Sequence, residues 1–222
     1  MTITNMHNEF KLLMDKADSA GSPNFLSTEI DMFLNAAIER FVAKRAFGNN
    51  PRRTGFEEDQ KRRDDLRNLI TTASSFNLTT EGPKPNSLLV NLPDDYRHAI
   101  NEETQIVYGN NISKRVGVKP ITHDRYNKIV DDPFNKPNKT NIYRLDSGEN
   151  TVELIYAEGT SILNYYLRYL KNPAIVSKTN STDCDLAGHT HREIVRMAVV
   201  EALENIEDPR YQSSKIELNE IE

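Results

Sequence analysis

Thr28-Glu29-Ile30-Asp31-Met32-Phe33-Leu34-Asn35-Ala36-Ala37-Ile38-Glu39-Arg40-Phe41-Val42 carries the clearest fold signal in the chain. Ile30, Phe33, Leu34, Ala37, Ile38, Phe41 and Val42 recur three and four residues apart, which lays one apolar stripe along a helix. Thr28 with Asp31 makes an imperfect capping box, Asp standing where Glu is usual. Gly48, Asn49, Asn50 and Pro51 stop the helix. Upstream, Gly21, Ser22 and Pro23 break the chain. Residues 8–17 before them read as a short helix with Phe10, Leu13 and Met14 on one side. Downstream, residues 56–70 read as a third, heavily charged helix. Glu57 to Lys61 and Glu58 to Arg62 are acid-to-base pairs one turn apart, worth a few tenths of a kcal/mol each on an exposed helix. Such a face is either solvated or packed against a neighbouring subunit by charge.

The texture changes after Thr72. Pro83 and Pro85 mark a linker, and short strand-like segments follow at 87–91, 105–108, 113–119, 141–145, 151–156 and 160–170. Ser147-Gly148-Glu149-Asn150 reads as a hairpin turn. In 160–170 the alternation places Leu163, Tyr165, Leu167 and Tyr169 on one side and Ile162, Asn164, Tyr166, Arg168 and Leu170 on the other. Residues 123–137 read as a long irregular loop holding Asp131-Asp132-Pro133-Phe134, the kind of loop that makes contacts. Helical texture returns with Thr190 and Glu193 as a capping box and a stripe of Ile194, Val195, Ala198, Val199, Ala202, Leu203 and Ile206. Asp208-Pro209 ends it, and a polar tail follows. The order predicts an α+β chain, a helical bundle with an inserted antiparallel β-sandwich-like domain. The expected division is 1–82 helical, 83–173 β, 174–207 the helix completing the bundle, and 208–222 an extended tail.

The 222 residues are 37% hydrophobic and lack Trp, a lean core for their length, and the formal net charge is −5. A freestanding general nucleic-acid binder is usually basic. Arg52-Arg53 and Lys61-Arg62-Arg63 are basic, but acidic neighbours interrupt both and no aromatics interleave. No apolar run approaches the roughly 20 residues that span a bilayer. Residues 1–9 lack the basic and apolar regions of a secretory leader, so none is expected. One Cys excludes a disulfide framework within the chain. Cys184, Asp185, His189 and His191 are residue types that bind zinc, but their spacing fits no finger and there is no second thiolate. Asp94-Asp95 and Asp131-Asp132 are acidic pairs that turn chemistry explains. No P-loop, dinucleotide fingerprint or nucleophile elbow is present. The residues argue for no enzyme, cofactor or metal.

Four segments in order resemble the ring proteins of crAss-like podoviruses, within the wider class of bacteriophage head–tail connector (adaptor ring) proteins. They also resemble, more distantly, the tail tubular gatekeeper of short-tailed phages. The segments are the helix from Thr28 to Ala37 closing at Phe47, Leu92-Pro93-Asp94-Asp95-Tyr96, the Tyr-rich stretch ending Tyr169-Leu170-Lys171-Asn172-Pro173, and the helix from Thr190 to Leu203. The resemblance implies a virion protein made in the host cytoplasm, without catalytic residues or a cofactor. It implies a homo-oligomeric ring, a dodecamer, docked on the portal protein at the head–tail junction beside other ring and tail proteins. Viral DNA would pass through the lumen during ejection without sequence recognition, and no membrane is involved. Tyr211, Ile216, Leu218 and Ile221 are then candidate anchors of a portal-binding tail, with a frayed terminus as the alternative. Glu58, Lys61, Arg62, Asp131, Asp132 and Phe134 are candidate subunit-interface residues. The competing function is a β-sandwich ligand- or receptor-binding module of a virion or cell surface.

Overall fold

The computed structural model describes residues 1–15, 25–46, 56–74, 78, 80–109 and 112–220. The expected break at 21–23, the helix stop at 48–51, Phe47, the Arg52-Arg53 pair and Ile221 lie outside the described residues. The protein is a mixed α+β chain that divides into two compact units, Met1–Leu69 with Pro173–Glu222, and Ile70–Asn172. No helix among the described residues is long and apolar enough to cross a membrane.

The first unit is helical. It contains α1 (Ile3–Asp15), α2 (Ser27–Ala46), α3 (Gln60–Leu66), α5 (His191–Asn205) and α6 (Tyr211–Glu220). The stripe on α2 is buried as spaced, except that Phe33 is half-buried. Phe33 stacks on Phe10 at 6.2 Å, and Phe25 meets both rings edge-on. α1 and α2 both pack on α5, and α6 packs on α5 as well. That demand explains why α5 also buries Met197 and Val200 beyond its expected stripe. α1 starts five residues earlier than periodicity suggested, because Ile3 and Met6 extend its buried face.

Three local expectations are corrected. The first concerns the caps. The Glu29 carboxylate accepts the Leu26 N–H at 2.8 Å, so Glu29 closes the start of α2 and Asp31 does not. Thr190 has no side-chain cap bond on α5; its hydroxyl donates to Ala187 O, and Glu193 is used elsewhere. The second concerns the charged stretch 56–70. It is 3₁₀ turns at Phe56–Glu58 and Arg67–Leu69 around a seven-residue α3 capped by Asp59, and Ile70 already begins a strand. The third concerns the tail. Residues 211–220 form α6, because α5 supplies the packing surface that a polar segment lacks alone.

Asp31 and Asn35, one turn apart on α2, clamp the returning chain. Asp31 accepts the Lys178 N–H at 3.1 Å and lies 2.7 Å from His7 Nε2. Asn35 accepts the Val176 N–H at 2.9 Å and donates to Val176 O at 3.0 Å. Asn35→Ala should cost about 1–3 kcal/mol, because two backbone groups lose partners at once. A urea-denaturation midpoint measures it, and an unchanged midpoint would show that water replaces the amide.

Among the described residues the second unit holds a sheet of eight strands: β1 (Ile70–Ser74), β2 (Thr80–Glu81), β3 (Ser87–Asn91), β4 (Tyr96–Tyr108), β5 (Ile112–Pro120), β6 (Ile142–Asp146), β7 (Thr151–Ile155) and β8 (Thr160–Lys171). The order is β1-β8-β4-β5-β6-β7-β3-β2, antiparallel except for the short β5–β6 seam. In the expected sandwich-like domain the short β5–β6 seam joins two antiparallel halves into one sheet. It curls, so that Val90, Ile142, Val152 and Leu154 share one core with Ile106, Ile162, Tyr165 and Leu167. Pro83 and Pro85 lie in the turn between β2 and β3, so they join paired strands rather than mark a linker.

The alternation assigned to 160–170 fails at one place. Gln105 pairs with Asn164 but Ile106 pairs with Ile162, so Leu163 is an extra residue in β8. Such a bulge flips the facing beyond it. Ile162 consequently enters the core and Leu163 is exposed.

Candidate assembly surfaces

The stretch 123–137 is not an irregular loop throughout. His123–Asp131 forms a helix, α4, whose Tyr126 and Ile129, with Ile121, pack on Tyr143, Leu145 and Ile155. After α4 the chain turns tightly on Asp132. Its carboxylate accepts the Phe134 N–H at 2.9 Å and the Asn135 side-chain amide at 2.7 Å, and its carbonyl accepts the Lys136 N–H at 2.9 Å. The Tyr143 hydroxyl donates to Asn135 O. The Asn135 amide and Phe134 N–H hold the Asp132 carboxyl below the usual carboxylate range. The braced turn presents Phe134 outward at 87% exposure, with Asp131 exposed beside it.

Glu58 and Lys61 are exposed, whereas Arg62 is only 6% exposed. Glu58 lies in the 3₁₀ turn before α3, so one helix does not carry both members of the expected acid-to-base pairs. On α6, Tyr211 and Leu218 are half-buried and Ile216 is exposed. Two turns separate Tyr211 from Leu218, which puts them on one face and Ile216 roughly opposite. Leu218 lines a cleft of about 220 Å³ with Leu13, Val199, Val200, Leu203, Arg196, Arg210, Ser214 and Glu217.

The zinc-type residues separate into other roles. His189 Nε2 lies 2.8 Å from Asp65 Oδ1, and His191 Nε2 lies 2.9 Å from Leu186 O. Burial pushes the Cys184 thiol above its usual range, away from a reactive thiolate. Among the described residues no three His, Cys, Asp or Glu side chains gather for a metal.

Two charged centres escaped the sequence reading. Arg45, 2% exposed, reaches Asp65 Oδ2 from Nε at 2.9 Å and Glu193 Oε1 from Nη2 at 2.8 Å. It lies 4.9 Å from the Phe41 ring centroid. This guanidinium ties the end of α2 to α3 and to the first turn of α5. In the β unit, Arg144 donates to Glu102, both largely buried, and its Nε lies 3.3 Å from Asp146 Oδ1. Burial raises the Glu102 carboxyl above its usual range, against the pull of Arg144. Burial also pushes the Tyr165 hydroxyl beside it far up.

One sheet edge is also open. Residues 112–117 of β5 pair with β4, but only Val118, Lys119 and Pro120 pair with β6. Lys114 and Arg115 stand exposed along it, the charges that keep free edges from uncontrolled pairing.

Residues 1–208 match the model of a family described as phage tail ring protein 3/4. The protein is similar to Ring protein 4/5 of Bacteroides phage crAss001, with 26% identity over 223 residues, 90% of this chain and 91% of that protein. It is also similar to Ring protein 3 of the same phage, with 25% identity over 200 residues, 80% and 85% of the two chains.

Proposed function

The chain belongs to the phage tail ring protein 3/4 family, and from that premise we propose that it is a head-to-tail connector docked on the portal. It is a structural virion protein and not an enzyme. In the proposal twelve copies close a ring at the head–tail junction of a podovirus and line the channel through which DNA is ejected. The family match across residues 1–208 carries the reading. The helical unit acts as a bundle into whose sequence the β unit, Ile70–Asn172, is inserted. Residues 208–222 face the portal, and Ile216 is the anchor whose side chain stands open to it.

A closed ring requires two different faces on each subunit. The Asp131-Asp132-Phe134 turn and the exposed part of the Glu58-Lys61-Arg62 segment are candidates for one of them. A lean subunit gains stability when neighbours complete its burial. An acidic lumen would repel phosphate and let DNA slide.

Quantitative mass spectrometry of density-purified particles tests the proposal. Co-purification at about a dozen copies per particle is expected for a closed cyclic ring. A soluble monomer absent from particles would sink it and favour a ligand-binding module instead.

A further inference from the structure

We propose that Phe134 of one copy inserts into the α1–α5–α6 cleft of a second copy, an inference that rests on the ring reading. Three observations carry it. First, Phe134 is an aromatic side chain left 87% exposed on a turn fixed by four hydrogen bonds. A pre-organised aromatic loses little freedom on docking, and such residues anchor interfaces. Second, the helical unit offers a matching hole. Its cleft of about 220 Å³ is lined by the apolar Leu13, Val199, Val200, Leu203 and Leu218 together with polar residues. Apolar cavities of about 150 Å³ already accept a benzene ring. Third, the charges complement. Asp131 and Asp132 precede the knob, while the exposed Arg196 lines the hole; Arg210 in the same lining is already paired with Asp208 at 2.9 Å, and Glu217 is the acid there.

Knob and hole are different patches, so the contact is head-to-tail and repeats from copy to copy. That geometry builds rings when the rotation closes, unlike a self-complementary dimer contact. Arg196 is exposed on α5, placed to meet an acid arriving with the aromatic ring. Leu218 belongs to the lining of the hole in this assignment, which leaves Ile216 as the outward residue of α6.

The test uses full-length chain assembled in particles. A photo-reactive phenylalanine, p-benzoyl-phenylalanine, replaces Phe134. Irradiation should join two copies, with the adduct on peptides of α5 or α6 near Val199, Leu203 or Leu218. Phe134→Ser, on a surface turn, should keep the circular dichroism of the parent and raise the concentration needed for assembly about 30-fold or more. An adduct on any other face or protein, or normal assembly of Phe134→Ser, would overturn the knob-and-hole contact while leaving the ring reading intact. Absence of the unmodified chain from particles would instead be the failure of the ring reading itself.

Discussion

Replacing Arg45 with Met should cost the helical unit about 3–5 kcal/mol, the usual penalty for stranding a buried charge partner. Asp65 is 1% exposed, and Arg45 Nε is its cationic partner at 2.9 Å. Without the guanidinium, Asp65 keeps the His189 contact among the described residues, and Glu193 loses its two bonds from Nη2. The helices α2, α3 and α5 meet at this one side chain, so all three ends loosen together. Arg45→Lys should recover only part of the loss, because an ammonium lacks the planar fork that serves both acids. Pairing Arg45→Met with Asp65→Leu should recover Asp65's share of the loss, since that carboxylate is then no longer buried alone, while Glu193, 17% exposed, keeps its own smaller share. Arg40→Ala is the control. Arg40 meets Glu201 at 2.8 Å but is 57% exposed, and such pairs contribute about 0–1 kcal/mol. Urea denaturation followed by the helical circular dichroism signal measures all four. A loss for Arg45→Met no larger than for Arg40→Ala would show that water reaches the site and solvates Asp65.

Legibility in the sequence followed the range of the physics involved. The stripes on α2 and α5 were readable because burial of one helix face leaves a local period. The strands at 87–91, 151–155 and 160–171 were readable for the same reason. What failed depended on distant partners. Asp31 looked like a cap because Thr28 stands before it, yet its partners, His7 and Lys178, lie 24 and 147 residues away. Glu193 looked like a cap on α5, yet Arg45 claims it from 148 residues away. Spacing along a chain carries no record of such pairings. The bulge at Leu163 is a subtler case. The alternation through 160–170 reads as unbroken, and only the β4 register places the extra residue. Arg62 and Asp65 sit in a charged run that reads as solvated or as packed against a neighbouring subunit, and burial of both within this chain depends on what packs over α3. The exposure of Phe134 was legible, since it falls in a stretch whose length marks it as a contact loop. The brace that aims it, Asp132 with Tyr143, was not. By contrast, the apolar lining opposite it in the proposed contact is drawn from α1, α5 and α6. A stripe indicates burial without indicating that part of it is covered by another copy.

Removing Arg144 should produce a pH-dependent defect in the β unit, and the sign follows from Glu102. Burial raises the Glu102 carboxyl in the folded chain, and Arg144 opposes that rise. A carboxyl with a raised folded pKa contributes stability that is fully present below its unfolded value. That contribution is lost as pH rises through the folded value. Wild type should therefore weaken modestly above the ordinary carboxylate range. In Arg144→Leu the opposing cation is gone, so the carboxyl rises further and the loss extends to higher pH. At neutral pH the variant strands a buried carboxylate, a penalty of about 3–5 kcal/mol. Toward acid pH the raised carboxyl takes up its proton, and the penalty should shrink. Asp146, 73% exposed, loses its 3.3 Å contact too, but water solvates it and its share is small. Adding Glu102→Gln to Arg144→Leu removes the titrating group, so the pH slope should flatten and neutral-pH stability should rise. Other carboxyls titrate in both proteins and cancel in the difference. The readout is the denaturation midpoint of each variant at about pH 5 and about pH 8. Equal slopes for the single and double variants would mean that Glu102 does not carry the effect. The charge stranded by losing Arg144 would then be relieved by water entering the curled sheet.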